Sequence, residues 1–394
     1  MELIPLSPVD YAFVGVGSQP VTFAFFYPQL GDPERLKRSL IETLGHFPLL
    51  NSRLQRISGT DLAFRIEAGG LTLHVHETER VFRRIDRIGR YIEPVRSGEG
   101  EPLSRITWTK TPAGVVLAIS VSHALADGFS YFHFLSSWAK VSRGERFLEP
   151  SFSRPDWTVA SASAVRTGSL GAEELYAACG LFCGDRRQPL GEADVIQERF
   201  FISADSIQSA LDSARGEHPV SFTANDVLVA MLWKKYASKR LAGSEPAYMT
   251  CPVDVRRVLA DMAKNYFGCA LCFASAAADA DSLLHAPMGD LALAVRNSIL
   301  RVKSDFARNA FLTLDRYRRE NGLAAMEAVH LRHPRQGLIV TNLTRMPIRD
   351  LDFGHGPPVD FLVYAEIPGG AALLPAAAGV EVIMVPPLGK EGRT

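Results

Sequence analysis

The clearest hydrophobic pattern in the chain is a continuous apolar run at Val115–Val121 (VVLAISV), which is rich in branched side chains. A run this short and this apolar predicts a strand that is buried on both faces. The residues that follow, Gly128–Lys140, have the spacing of a helix. We expect Phe129, Phe132 and Leu135 on that helix to face the core. The first half of the chain is therefore predicted to centre on a strand followed by a helix.

Shorter patterns predict further strands and helices in both halves. Leu62–Ile66 and Leu71–Val75 are predicted to be two strands that form a hairpin across the two glycines between them. The second half again alternates helices and strands, and its predicted strands are Gly337–Asn342, Phe361–Ile367 and Val380–Val385. Both halves mix the two kinds of element, so the fold class is predicted to be α/β with mixed sheets.

The chain has 394 residues, which is long enough for two domains. From Ser142 to about Asp194 the pattern dissolves into Pro, Gly, Ser and Arg, which is typical of a connection between domains. We therefore predict an N-terminal domain at 1–150, an interdomain crossover at 151–195 and a C-terminal domain at 196–394.

Composition and charge exclude several classes of protein. The 43 Lys and Arg balance the 43 Asp and Glu, whereas a nucleic acid or an anionic membrane as partner needs a basic excess or a basic stripe. No apolar run is long enough to span a membrane, and the first residues lack a signal-peptide pattern. Five scattered cysteines do not suit a disulfide scaffold. We expect a cytoplasmic protein.

The most informative polar residues follow the predicted buried strand. His123 comes just after it, and Asp127 and Gly128 open the next helix. A neutral imidazole outside a strand end can take a proton from an alcohol or amine and return it later, as a general base does. A structural histidine is the alternative. Asp127 is not assumed to orient His123, because a carboxylate at a helix start can instead pair with a cation and fix the loop.

Several segments together resemble one known family. HALADG at residues 123–128 is similar to the HxxxD(G) signature of CoA-dependent acyltransferases. LDFGHGPP at 351–358 is similar to the DFGWG box of the BAHD family. VDVR at 253–256, NYFG at 265–268 and TNLTRMP at 341–347 resemble further elements of that family, in the family's order and over nearly the whole chain. The chain departs from the pattern at His355, Cys269 and the pair Asn342-Leu343, which suggests a divergent member.

The resemblance implies two similar domains of the chloramphenicol-acetyltransferase type, with a channel between them and His123 at its midpoint. The implied activity moves an acyl group from acyl-CoA to a hydroxyl or amine of a small-molecule acceptor of specialised metabolism. His123 would be the general base, and no covalent acyl-enzyme, metal or permanently bound cofactor is implied. Acyl-CoA would be a co-substrate, and the chain would be a monomer.

The resemblance also implies roles for other residues. Thr341 would donate a hydrogen bond to the oxyanion, with Asn342 as a weaker candidate. Asp127 would pair with Arg256 and, with Gly128, support the loop of His123; Arg257 is the adjacent alternative cation. The DFG box would shape a turn away from the chemistry, and its members are Asp352, Phe353, Gly354 and Gly356.

Two other functions stay open at this point. One keeps the fold but takes the acyl group from a carrier protein, and the DFG box favours CoA over it. The other is a non-catalytic scaffold, against which the intact His123 and Asp127 speak. His355 as a second base is less favoured than an exposed replacement for tryptophan. Cys269 and Cys272 have redox-motif spacing but lie in an apolar run, which favours buried thiols.

Overall fold

The structure of the protein is a computed structural model that describes residues 3–154, 170–189, 195–240 and 245–386. The strands in these ranges are Leu3–Pro5 (β1), Val21–Tyr27 (β2), Ser52–Arg56 (β3), Leu62–Ile66 (β4), Leu73–Glu77 (β5), Ser104–Thr111 (β6), Gly114–Val121 (β7), Phe182–Cys183 (β8), Glu198–Ser203 (β9), Pro246–Asp254 (β10), Leu271–Asp279 (β11), Val329–His330 (β12), Gly337–Asn342 (β13), Asp360–Val363 (β14), Gly370–Ala376 (β15) and Gly379–Val385 (β16). The α-helices are Pro33–His46 (α1), Gly128–Ser142 (α2), Ala172–Cys179 (α3), Ala204–Glu217 (α4), Ala224–Arg240 (α5), Ala280–His285 (α6), Met288–Leu300 (α7) and Ser304–Met326 (α8).

The predicted buried strand lies in the middle of a five-stranded sheet. The strand order is β14-β2-β7-β6-β5, and β7 is antiparallel to both of its neighbours. Every residue from Val115 to Val121 is buried, as the apolar run predicts. Helix α2 buries Phe132 and Leu135. The prediction was wrong for Phe129, which is only partly buried and lines a cavity rather than the core.

The second half builds a six-stranded sheet in the order β11-β10-β13-β15-β16-β9. Its central strands β10, β13 and β15 are parallel, and the outer pairs are antiparallel. Helix α5 packs against α4 and α7 beside this sheet. The helix begins after Thr223 because Asp226 accepts hydrogen bonds from the Thr223 backbone N–H (2.8 Å) and hydroxyl (2.9 Å). Both large sheets mix parallel and antiparallel strands, which confirms the predicted fold class.

The second half of the chain supplies one edge strand of the first-half sheet. Strand β14 comes from the second half of the sequence but pairs antiparallel with β2 of the first-half sheet. The domain boundaries after residues 150 and 195 stay a prediction. Residues 155–169 and 190–194 of the predicted crossover lie outside the described residues.

The predicted hairpin of Leu62–Ile66 with Leu71–Val75 is wrong. Strand β4 pairs with β1 and β3, whereas the later segment forms β5, which pairs parallel with β6. The later segment cannot pair with β4 because β1 and β3 occupy both of its edges. Asn51 extends the pairing with β3: its carbonyl accepts from the Glu67 N–H (3.0 Å), and its side-chain Oδ1 accepts from the Leu71 N–H (2.9 Å).

Candidate active site

A cavity of about 900 Å³ lies between the two halves. From the first half it is lined by Phe13 and by the loop that joins β7 to α2. From the second half it is lined by the end of β13 and by residues that follow β14. The channel that the resemblance implies therefore has a counterpart in the structure, and His123 lies in its wall.

His123 is held by its neighbours in one orientation. Its ring stacks on Phe13, with ring centroids 4.0 Å apart and planes 6° apart. The preceding residue, Ser122, fixes the turn: its carbonyl accepts from the N–H groups of Leu125 (3.0 Å) and Ala126 (3.1 Å). Nδ1 of His123 is buried and bonds to no other residue in the described part of the chain. Nε2 is thus the ring nitrogen that can meet a ligand in the cavity.

The surroundings of His123 favour its neutral form. Burial lowers the pKa of the imidazole, and the charge of Asp127 opposes this lowering in part. A neutral imidazole is the form that accepts a proton. Its environment therefore suits the work of a base near neutral pH.

Asp127 makes no hydrogen bond to His123 in the described part of the chain and pairs instead with Arg256 across the two halves. Arg256 Nη1 donates to Asp127 Oδ2 (2.7 Å) and Nη2 donates to Oδ1 (3.0 Å), and both side chains are almost completely buried. Burial by itself would raise the pKa of Asp127, but Arg256 and two backbone N–H groups hold it below its usual range. The expected partner is thus Arg256 and not Arg257.

The same carboxylate joins three segments at this point. Asp127 Oδ1 accepts from the Ser130 N–H (2.9 Å) and caps helix α2, while Oδ2 accepts from the Ala270 N–H (2.9 Å). Gly128, which opens the helix, also lines the cavity. The loop of His123 is therefore fastened to the second half through Asp127, as a positioning role requires.

Thr341 and Asn342 end strand β13 at the cavity wall, but only one of them has a free donor group there. The Thr341 hydroxyl makes no hydrogen bond within the described residues. Asn342 is occupied: its Nδ2 donates to Asn225 Oδ1 (2.9 Å), and its Oδ1 accepts from the Thr344 N–H (3.0 Å) and hydroxyl (2.6 Å). Thr341 is consequently the stronger candidate for contact with the oxyanion.

The DFG box forms a turn outside the cavity. Asp352 Oδ1 accepts from three backbone N–H groups at 2.7–3.0 Å, those of Gly354, His355 and Gly356. Gly354 (φ 102°) and Gly356 (φ 89°) adopt backbone conformations that favour glycine. Phe353 is buried edge-on against Trp138, with centroids 4.9 Å apart. His355 is exposed and lines no part of the cavity.

Two further supports of His123 have no sequence signal that points to them. Phe13 belongs to a buried apolar turn, and Arg187 lies in the stretch that is predicted to be a connection. Arg187 donates from Nη1 to the carbonyl of Ala12 and from Nη2 to that of Val14 (2.6 Å), which are the residues on either side of Phe13. It also donates to the Val329 carbonyl (2.8 Å) of the second half. Arg187 thereby fixes the ring on which His123 stacks.

The two cysteines with redox-motif spacing and the possible metal ligands offer no further reactive site. Burial raises the pKa of the Cys269 and Cys272 thiols well above the usual value. Within the described ranges, no three or more His, Cys, Asp or Glu side chains cluster as metal ligands would. No helix in those ranges is long and apolar enough to cross a membrane.

Comparison with known proteins identifies a family and several relatives of this chain. The model of the family described as "Transferase family" matches residues 95–386. Hydroxycinnamoyl-CoA:5-hydroxyanthranilate N-hydroxycinnamoyltransferase of Avena sativa is 27% identical over 368 residues, covering 88% of this chain and 79% of the relative.

Two solved structures share the fold. F. graminearum TRI101 in complex with coenzyme A and deoxynivalenol superposes with a TM-score of 0.77 at 15% identity, covering 98% of this chain and 95% of that one. Vinorine synthase superposes with a TM-score of 0.70 at 18% identity, covering 98% and 90%. Both have the two-domain chloramphenicol-acetyltransferase-like fold.

The chain therefore belongs to the Transferase family, that of the BAHD acyltransferases. It is an acyl-CoA-dependent O- or N-acyltransferase that acts on small molecules.

Proposed function

We propose that His123 is the general base of a direct acyl transfer from acyl-CoA to a hydroxyl or amine of a specialised-metabolite acceptor. The observation that carries this proposal is the difference in accessibility between the two ring nitrogens of His123. Nδ1 is buried, whereas Nε2 remains free at the wall of the cavity between the halves. The histidine can thus reach a substrate with one nitrogen only.

In the proposed mechanism, Nε2 of His123 accepts the proton of the acceptor as its oxygen or nitrogen attacks the thioester carbonyl. The tetrahedral oxyanion accepts a hydrogen bond from the Thr341 hydroxyl, which has no other partner in the described chain. Collapse breaks the C–S bond. The imidazolium then returns the proton to the CoA sulfur, so His123 ends the cycle neutral.

The absence of a covalent acyl-enzyme is part of the proposal, and the chemistry of the cavity wall supports it. Cys251 is the cysteine that lines the cavity in the described ranges, and burial raises the pKa of its thiol to about 12. A thiol with so high a pKa is a poor nucleophile near neutral pH. Ser122, next to His123, is buried, and its hydroxyl bonds to that of Ser97 (2.7 Å).

Thermal unfolding with CoA and a panel of acyl-CoAs tests the donor without knowledge of the acceptor. A ligand at 100 times its dissociation constant adds about 2.7 kcal/mol to the free energy of unfolding. We expect a rise in Tm that is graded by the acyl group, and hydroxycinnamoyl-CoA belongs in the panel because the relatives use it. Stabilisation by no CoA compound would contradict the proposal and favour a donor tethered to a carrier protein.

Intact-mass measurement tests the direct transfer. The native chain is incubated with the most stabilising acyl-CoA and no acceptor, then quenched in acid. We expect the unmodified mass, because no nucleophile of the chain is acylated. A stoichiometric acyl adduct that disappears when acceptor is added would contradict the direct mechanism. Location in the cytoplasm and the monomeric state remain predictions.

A further inference from the structure

The ring on which His123 stacks belongs to a short 3-10 helix, Pro8–Phe13, which we call the N-terminal turn. All six residues of this turn are buried. Asp10 is its one carboxylate, and only 1% of the residue is exposed. A buried carboxyl group is costly unless it is hydrogen-bonded, so the role of Asp10 depends on what it contacts.

Asp10 closes the start of the N-terminal turn. Its Oδ2 accepts a hydrogen bond from the Ser7 backbone N–H (2.7 Å), and its own N–H donates to the Ser7 carbonyl (3.0 Å). These two bonds tie the residue before the turn to the third residue within it. Nη2 of Arg154 lies 3.6 Å from the same oxygen, and Nη1 of Arg154 donates to the carbonyl of Pro5. The Asp10 carboxylate and Arg154 therefore anchor the start of the turn to strand β1.

The end of the N-terminal turn is anchored by other residues. Arg187 donates to the backbone carbonyls on either side of Phe13, which is the last residue of the turn. Arg318 of α8 lies over the ring of Tyr11, with its Cζ 4.5 Å from the ring centroid. Both contacts act on the second half of the turn. The start of the turn depends instead on the carboxylate of Asp10.

Asp10 also lies close to the second support of the His123 loop, the ion pair of Asp127. Burial, and after it the charges of Asp127 and Asp10, raise the pKa of the Cys269 thiol. Burial raises the pKa of Asp10 itself to about 7; Arg154 opposes this rise and the charge of Asp127 adds to it. Near neutral pH a large share of the molecules therefore carries a neutral carboxyl group at this position, which a side-chain amide can imitate.

We propose that Asp10 is a positioning residue of the acyl transfer: it fixes the N-terminal turn so that the ring of Phe13 holds His123 with Nε2 directed into the cavity. Asp10 does not line the cavity, so it acts on the reaction through these two rings. This inference rests on the proposed function, because it assumes that His123 is the base. It adds to the site a buried residue that no substrate touches.

Alkylation by bromoacetyl-CoA measures the direction of Nε2 without knowledge of the acceptor. The reagent carries an electrophilic carbon next to its thioester carbonyl, and Nε2 of His123 forms a bond to that carbon while bromide leaves. Cys251 in the same cavity competes poorly, because burial raises the pKa of its thiol to about 12. Intact mass gives the rate, and peptide mapping locates the modified residue. The dependence of the rate on reagent concentration separates the maximal rate from the half-saturating concentration.

We expect Asp10→Ala to lower the maximal rate of His123 alkylation on the order of 10–100-fold, because small displacements are costly in a reaction between positioned groups. The half-saturating concentration should stay native, since Asp10 lies outside the cavity. Asp10→Asn keeps an acceptor for the Ser7 N–H and should recover most of the rate. Asp352→Ala is the matched control: it also removes a carboxylate that accepts from backbone N–H groups of a turn, but outside the cavity, so it should lower Tm and leave the rate native.

Two further variants test the route from Asp10 to His123. Phe13→Leu keeps an apolar side chain but removes the stack, so we expect it to slow alkylation by itself. Asp10→Ala should then slow the Phe13→Leu variant no further, because both substitutions act through the same ring. Ser7→Pro removes the N–H that Asp10 accepts and fits the backbone at φ −73°, so it should reproduce the loss even if Asp10→Ala does not fold.

The outcomes separate this inference from the proposed function. A native alkylation rate in folded Asp10→Ala or Ser7→Pro, or losses from Asp10→Ala and Phe13→Leu that multiply in the double variant, would overturn the positioning role and leave His123 as the base. A loss in Asp10→Asn as large as that in Asp10→Ala would overturn it as well. A native chain that CoA stabilises but whose His123 is not alkylated would count against the proposed function itself.

Discussion

The imidazole of His123 lies flat on the ring of Phe13, with 4.0 Å between ring centroids. A stacked ring cannot rotate freely, so the direction of Nε2 is set before a substrate arrives. The backbone on both sides of Phe13 is in turn fixed by Arg187. His123, the proposed base, is thus positioned by a stack and an arginine, and no carboxylate is hydrogen-bonded to its Nδ1 in the described part of the chain.

Replacement of His123, the proposed base, gives the first prediction. We expect His123→Gln to lower kcat on the order of 10²–10⁴-fold, because the variant cannot take the acceptor proton. His355→Gln is the control, since that histidine is exposed and outside the cavity. Steady-state kinetics and Tm are measured for both variants. A folded His123→Gln enzyme with native turnover would contradict the role of base.

The lowered pKa of His123 gives a pH prediction for activity. Only the neutral imidazole accepts a proton, and burial shifts its pKa below the usual 6.5. We therefore expect kcat/KM to be constant above about pH 6.5 and to fall at lower pH, with its inflection below 6.5. A profile of kcat/KM between pH 5 and pH 8 measures this. An inflection above 7 would show that the titrating base is not His123.

The same shift predicts how stability depends on pH. Between the lowered pKa of folded His123 and 6.5, the unfolded chain binds more protons than the folded chain, so stability falls as the pH falls through that window. We expect His123→Gln to lose less stability than the native chain between pH 7.5 and pH 5.5 in urea unfolding. The other histidines contribute equally to both proteins, so the difference isolates His123. Equal losses would contradict the lowered pKa.

The ion pair of Asp127 with Arg256 predicts a coupled loss of stability and activity. Asp127→Ala leaves a buried guanidinium without its main counter-ion, which costs about 3–5 kcal/mol. Asp254→Ala is the matched control, because its carboxylate contacts the same arginine (3.1 Å) but is 42% exposed. Exposed pairs contribute about 0–1 kcal/mol. Urea unfolding and kcat are measured for both, and a stable, fully active Asp127→Ala enzyme would refute the positioning role.

The local sequence predicts much of the fold around His123, but it does not predict every strand pairing or every residue that supports the site. The apolar run and the polar residues after it predict strand β7, helix α2 and the place of His123, because burial on both faces leaves a strong signal. The pairing of Leu62–Ile66 was mispredicted, since strands β1 and β3 occupy both edges of β4. Arg187 carries no pattern in the sequence. Its importance comes from the backbone carbonyls that surround it in space, which spacing along the chain does not encode.

Thr341 gives a prediction that separates chemistry from binding. Thr341→Val keeps the shape but removes the hydroxyl, and the loss of one oxyanion donor costs about 10²–10³-fold in kcat. We expect KM for acyl-CoA to change little, because the oxyanion exists only during the reaction. Thr341→Ser restores the hydroxyl and should recover most of kcat. A valine variant with native kcat, or a serine variant as slow as valine, would exclude the oxyanion role.

Substitutions in the DFG box should lower the free energy of unfolding and leave kcat unchanged. Asp352→Ala removes the acceptor of three backbone N–H groups, so we expect a loss of about 1–2 kcal/mol in the free energy of unfolding. Asp352→Asn retains a side-chain oxygen and should lose less. Because neither Asp352 nor Phe353 lines the cavity, kcat per folded molecule should stay native in both variants. Urea unfolding and active-site-normalised turnover test this together, and a stable but slow Asp352→Ala enzyme would place the box in the reaction after all.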